Sequence, residues 1–230
     1  MTAEMMFLSR DGRSVRGALA TPAGLGPHPA VVVVQEWWGL NDDMKAVADR
    51  LAGEGFLAAA VDLYGGRVAT DRETAKQLVT ELKVPDAVEI VAGAAAALTA
   101  RAAGGNGAVG VTGFCVGGAV ALAAACHVPA IGAAVPFYGM PRPEHVDWKR
   151  ARCPFQLHYG KKDESIPVAK VEAMVKDMKA AGRDATLHLY DAGHAFMRRS
   201  DPAVYDERSA EVAWHRMVAF FKERLVGKAR

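Results

Sequence analysis

Four consecutive valines, Val31 to Val34, constrain this chain more than any other stretch. A β-branched run that is apolar at every position suits a strand buried on both faces. It belongs inside a parallel sheet covered by helices, not on a sheet with one wet side. Leu57 to Val61, Val109 to Thr112, Ala130 to Pro136 and Phe155 to Tyr159 read the same way, while Thr186 to Tyr190 alternates more. Between these runs the spacing predicts helices over Asp43 to Glu54, Arg72 to Leu82, Ala87 to Arg101, Gly117 to Cys126, Val168 to Ala181 and Val204 to Leu225. Strands alternating with helices give an α/β class with a mainly parallel central sheet and helices on both faces. Glu4 to Leu8 and Ser14 to Ala20, joined across Asp11-Gly12, read as an antiparallel hairpin leading into it.

Composition narrows the field. The 230 residues are 51% apolar and 23% charged, which fits a folded chain and excludes a disordered one. No repeat or linker-like tract divides them, so residues 1–230 are expected to form one domain. With 28 Lys and Arg against 26 Asp and Glu, the net charge is +2. No basic run marks a nucleic-acid partner. No apolar stretch reaches the ~20 residues needed to span a bilayer, so no membrane partner is expected. Met1 to Phe7 lacks the basic start and apolar stretch of a signal peptide. Three cysteines without paired spacing argue against a disulfide scaffold and for a reducing, cytoplasmic setting. There is no zinc-type Cys/His cluster, no P-loop and no G-x-G-x-x-G at the first strand, so no metal and no cofactor are expected.

Ligands on such sheets bind at the carboxyl ends of the strands, so the residues after each strand carry the chemical argument. Val109 to Thr112 is followed by Gly113-Phe114-Cys115-Val116-Gly117-Gly118 and an Ala-rich helix. This is the G-x-S-x-G nucleophile elbow with Cys in place of Ser. The helix N-terminus favours a thiolate, and the Val116 N–H is placed to meet an oxyanion. An elbow demands an acid and then a histidine, in that order. Asp163 follows the strand ending at Tyr159, and His194 follows the strand ending at Tyr190. His194 would take the thiol proton, with Asp163 orienting the ring. Glu164 and Asp191 are read as solvated neighbours. His158 and His188, inside strands, are read as structural, and Cys126 and Cys153 as small core residues.

After the valine run comes Gln35-Glu36-Trp37-Trp38-Gly39-Leu40-Asn41. The Trp37 N–H is the second oxyanion donor expected in this fold. Glu36 is an ionisable group directly after four valines, so it needs a partner.

Taken together, the Asp11-Gly12 hairpin, Gln35-Glu36-x-x-Gly39-x-Asn41, Asp62-Leu63-Tyr64, the Cys115 elbow, Phe137-Tyr138-Gly139, Gly160-x-x-Asp163 and Gly193-His194-x-Phe196-x-Arg198 resemble the dienelactone hydrolase family of the α/β-hydrolase fold over nearly the whole chain. The resemblance implies a Cys115–His194–Asp163 triad and a Glu36 that holds the resting thiol and receives its proton. It also implies two arginines that grip a substrate carboxylate. Arg198 matches one of them; Arg72 matches the other, with Arg67 as the rival. The implied partner is a small anionic lactone or ester, cleaved through a thioester by a monomer or small homo-oligomer. A broad carboxylesterase or thioesterase using the same triad is the alternative; a redox sensor would need neither Asp163 nor His194. Trp37 and Trp38 replace the smaller pair expected of a specialised family member. Phe114, Tyr138, Phe196 and Met197 are expected on the pocket surface, Tyr138 and Phe196 against substrate.

Overall fold

The computed structural model describes residues 1–24, 26, 28–102 and 106–226. Eight strands, β1 (Ala3–Leu8), β2 (Ser14–Ala20), β3 (Ala30–Val34), β4 (Leu57–Val61), β5 (Val109–Phe114), β6 (Ile131–Phe137), β7 (Phe155–Gly160) and β8 (Ala185–Tyr190), form one sheet in the order β1-β2-β4-β3-β5-β6-β7-β8. The hairpin β1–β2 and the β2–β4 pair are antiparallel, and all later pairs are parallel. Every residue of β3, β4 and β5 is buried, as uninterrupted apolar runs require.

The helices are α1 (Asp42–Gly53), α2 (Arg72–Glu81), α3 (Val84–Arg101), α4 (Val116–His127), α5 (Val168–Ala180) and α6 (Glu207–Leu225). Packing of α3 and α4 against each other and against β3 and β5 covers part of the sheet. Ion pairs Arg50–Glu211 (2.5 Å) and Lys222–Glu54 (3.0 Å) tie α1 to α6. This is the α/β-hydrolase arrangement that the sequence predicts.

Two helix starts differ from expectation. The last helix begins at Glu207, not Val204, because the Asp206 carboxylate accepts the Ser209 N–H at 2.8 Å and caps the first turn there. Helix α3 starts at Val84, ahead of Ala87, since Pro85 is tolerated in a first turn whose amides lack intrahelical acceptors. Among the described residues no helix is long and apolar enough to cross a membrane.

Candidate active site

The carboxyl ends of β3, β5, β6, β7 and β8 deliver Glu36, Cys115, Tyr138, Asp163 and His194 to one edge of the sheet. Cys115 sits between β5 and α4 with φ 56° and ψ −119°, a backbone conformation that side chains rarely adopt. Its N–H donates to the Phe137 carbonyl at 3.1 Å, which ties the elbow to β6. Strand and helix meet so closely that a Cβ on Gly113 would lie 2.1 Å from the Gly117 oxygen, and one on Gly117 would lie 2.3 Å from the Gln35 oxygen. Only glycine fits at either position. Among the described residues the non-glycine positive-φ positions are Cys115, Tyr138 (35°) and Ala195 (59°), all at this edge.

Asp163 is buried, and its Oδ1 accepts the Ser165 and Ile166 N–H groups at 2.9 Å each. Its Oδ2 lies 2.7 Å from His194 Nδ1. That contact assigns the Nδ1 proton and leaves Nε2 for the nucleophile. Burial works against charge on His194, but hydrogen bonds to Asp163 and Cys115 outweigh it and raise the pKa to about 10. These partners favour the charged form of the ring. Tyr138 packs on the His194 ring with centroids 5.0 Å apart.

Glu36 is placed differently from the resemblance. Its Oε2 accepts Arg198 Nε at 2.9 Å and its Oε1 accepts the Tyr138 hydroxyl at 3.1 Å. Among the described residues no hydrogen bond joins it to Cys115. Burial raises its pKa, against the opposing pull of Arg198 and the Tyr138 hydroxyl. Arg198 also reaches Asp201 Oδ2 at 3.3 Å, and its guanidinium lies over the Trp38 ring at 5.4 Å. The short reach from Arg198 to a carboxylate three residues on was readable in the sequence; Tyr138 as a partner of Glu36 was not.

A cavity of about 1030 Å³ opens over Cys115 and His194, lined also by Trp37, Val116, Tyr138, Arg72 and Arg198. Val116 opens α4, where first-turn amides have no intrahelical acceptor. Trp37 follows Glu36 in a turn closed by the Gly39 N–H on the Glu36 carbonyl at 3.2 Å. Of the two candidate second arginines, Arg72 lines the cavity. Arg67 is turned away, with Nη1 2.8 Å from Glu81 on the surface. Lys83, Arg142 and His145, which sequence reasoning missed, share this wall.

Phe196 departs from expectation. It is fully buried and absent from the wall, packed between Tyr138 and Tyr190 at 5.4 and 5.1 Å. Its turn after β8 points the ring into the core, and it supports Tyr138 from behind. Phe114 and Met197 face a second cavity instead. His158 is buried and bonded through Nδ1 to the Tyr190 hydroxyl (2.7 Å) and through Nε2 to Gln156 (3.0 Å). Asp191 pairs with Lys162 at the surface, and Glu164 is exposed. Among the described residues no group of three acidic, His or Cys side chains could hold a metal ion.

Comparison with known proteins gives concordant results. A family model described as the dienelactone hydrolase family matches residues 15–225. "Protein usf" of Aquifex pyrophilus is 35% identical, covering 96% of this chain and 99% of that protein. "Putative carboxymethylenebutenolidase" of Aquifex aeolicus is 34% identical with the same coverage of 96% and 99%. A solved structure titled as a putative dienelactone hydrolase from Klebsiella pneumoniae superposes with a TM-score of 0.83 at 30% identity, over 96% of this chain and 99% of that one.

Proposed function

The chain belongs to the dienelactone hydrolase family and is an ester- or lactone-cleaving hydrolase, and we propose that it acts on an anionic small molecule through Cys115, His194 and Asp163. The observation that carries this reading is His194. Its Nδ1 lies 2.7 Å from the buried Asp163, and its ring lines one cavity with a cysteine at a strained elbow. In the reaction, the Cys115 thiolate attacks the carbonyl carbon. The Trp37 and Val116 N–H groups receive the oxyanion, worth about 3 to 4 kcal/mol for one good donor. The acyl C–O bond breaks, the His194 imidazolium gives its proton to the leaving oxygen, and a thioester to Cys115 and a neutral His194 remain. Water, deprotonated by His194, then attacks the thioester carbonyl, which releases the carboxylic acid and returns the thiolate.

Arg198 and Arg72 are the cations for a substrate carboxylate, which a thiolate would otherwise repel. Arg198 already engages Glu36, so the substrate competes with that carboxylate. Released from the guanidinium, the buried Glu36 gains proton affinity. To accept the Cys115 thiol proton, the role that the family resemblance gives it, Glu36 then turns from its bonds with Tyr138 and Arg198 toward the thiol.

One observation favours a second reading. The cavity of about 1030 Å³ is at the upper end of small-molecule sites, which suits a broad carboxylesterase or thioesterase with bulkier acyl or leaving groups. Steady-state hydrolysis of a carboxylated dienelactone and of neutral p-nitrophenyl acetate, with Cys115→Ser as control, separates the two. A strong preference for the dienelactone that vanishes in the variant supports the anionic-lactone reading. Turnover of the neutral ester alone moves the protein to the general esterases, and undiminished turnover by a Cys115→Ala variant refutes the thioester scheme.

A further inference from the structure

A second cavity, of about 380 Å³, lies behind the first, between α1, α6 and the turn carrying Arg198. That volume falls within the ~300 to 1,000 Å³ of small-molecule sites. Tyr138 and Arg198 line both cavities, whereas Glu36 lines only the second and Cys115 and His194 only the first. The hydrogen-bonded group Tyr138–Glu36–Arg198 therefore stands between the two cavities, and Glu36 borders the rear one.

The rear walls are apolar and include Met44, Val47, Phe114, Met197 and Trp214. Thioethers and aromatic faces of this kind receive a flat ring. The charged groups at the chamber are already engaged. Arg50 and Arg199 share Glu211, Asp43 accepts the Ser200 hydroxyl, and Arg198 holds Glu36. An anionic ligand would meet Glu36 and Asp43 without a free cation, and a cationic ligand would meet three guanidinium groups. Both would lose hydration without compensation. Each oxygen of Glu36 has one protein donor, yet a carboxylate oxygen accepts about two. The chamber thus offers an acceptor at its inner end and an apolar body behind it.

We propose that this rear chamber is a second small-molecule site, separate from the nucleophile's cavity, that takes an uncharged aromatic alcohol of the phenol class with its hydroxyl donating to Glu36. Occupancy places the ligand against the same Glu36–Arg198 pair that borders the catalytic cavity. Ala46 and Arg199, the exposed members of the lining, mark its mouth.

The test is calorimetric titration of the full-length protein with phenol, benzoate and benzylamine, repeated after Cys115 has been alkylated with iodoacetamide to block the thiol in the front cavity. The expected result is saturable one-to-one binding of phenol that survives alkylation, is lost in a Val47→Trp variant that fills the rear chamber, and exceeds binding of either charged analogue. Crystals soaked in 4-bromophenol give a reading that needs no variant, with the bromine's anomalous signal expected among Met44, Phe114 and Trp214. The proposal is overturned by no saturable phenol binding, by loss of binding on alkylation, by benzoate or benzylamine binding as tightly, or by a bromine signal beside Cys115. Undiminished binding to folded Val47→Trp overturns it as well.

Discussion

Replacing Arg198 by Met removes the guanidinium from a buried pair and keeps most of the side-chain volume. Glu36 is then left with the neutral Tyr138 hydroxyl as its partner, while Asp201, one-third exposed, returns to water. Breaking a buried pair from one side costs about 3 to 5 kcal/mol. The carboxyl has one escape, which is to take up a proton. Burial already raises its pKa above 4.5 with Arg198 present, and losing that cation raises it further. The folded variant then holds a proton that the unfolded chain has released. Its stability falls as pH rises from the unfolded carboxyl value toward the folded one, by at most about 1.4 kcal/mol per pH unit for one proton. Between pH 5 and pH 7 this accounts for up to about 2.7 kcal/mol of the penalty. Urea unfolding of wild type and Arg198→Met at both pH values, followed by fluorescence and circular dichroism together, measures it. The variant is expected to lose about 3 to 5 kcal/mol at pH 7 and up to about 2.7 kcal/mol less than that at pH 5. Adding Glu36→Gln to Arg198→Met is expected to restore most of the loss at pH 7 and to flatten the pH dependence. An equal penalty at both pH values, or a double variant as unstable as the single one, would refute the reasoning.

Four other outcomes follow from the same geometry. Gly117→Ala sets a Cβ 2.3 Å from the Gln35 carbonyl oxygen and 2.5 Å from that of Val34, rigid backbone that leaves no room; a loss of about 1 to 3 kcal/mol in thermal unfolding is expected, with activity falling further than stability alone explains. Burial pushes the thiols of Cys126 and Cys153 up to about 11 and 12, so brief iodoacetamide treatment at pH 8, read by peptide mass spectrometry, is expected to label Cys115 and spare both. Asp163→Asn removes the strongest contact raising the His194 pKa; an NMR titration is expected to show that pKa well below the wild-type value of about 10, together with loss of the stability His194 contributes in wild type, which is full below pH 6.5 and fades as pH rises through about 10. Burial, then the charges of His188 and Arg216, hold His158 well below 6.5, so the folded state refuses a proton that the unfolded chain accepts; wild type is expected to lose stability as pH falls below about 6.5, and His158→Gln to lose it with a shallower slope.

The sheet was legible because its strands are buried on both faces. Val31 to Val34 and Leu57 to Val61 are apolar at every position, a pattern that needs no tertiary information. Helix ends were less legible, since a cap such as Asp206 depends on one rotamer. At the sheet edge, Cys115, Asp163 and His194 each follow a strand end, so their convergence could be read along the chain. The direction of Glu36 could not. Its partners Tyr138 and Arg198 are 102 and 162 residues away, and nothing local decides between them and Cys115. The same holds for Arg72 against Arg67, where Glu81, on another element, draws Arg67 off. Phe196 reads as an aromatic beside a histidine, and only the path of the turn after β8 sends it inward.

The strained backbone at Cys115, Tyr138 and Ala195 joins these observations into one device. Each such residue costs about 1 to 3 kcal/mol and persists only where its surroundings over-determine it. Here the surroundings are the neighbouring strands. The Cys115 N–H is held by Phe137 at 3.1 Å, and the Tyr138 N–H is held by His158 at 2.9 Å. Cys115 and Tyr138 are thus each fixed by the next strand along the sheet, from β5 to β6 to β7. Ala195 is fixed within its own turn, where its carbonyl accepts the Arg198 N–H at 2.9 Å. The thiol and the phenol hydroxyl therefore take their aim from sheet register, and the imidazole from the turn after β8. A perturbation that shifts that register by a fraction of an ångström, as a methyl group at Gly117 must, moves the thiol and the phenol hydroxyl off the imidazole before it unfolds the chain.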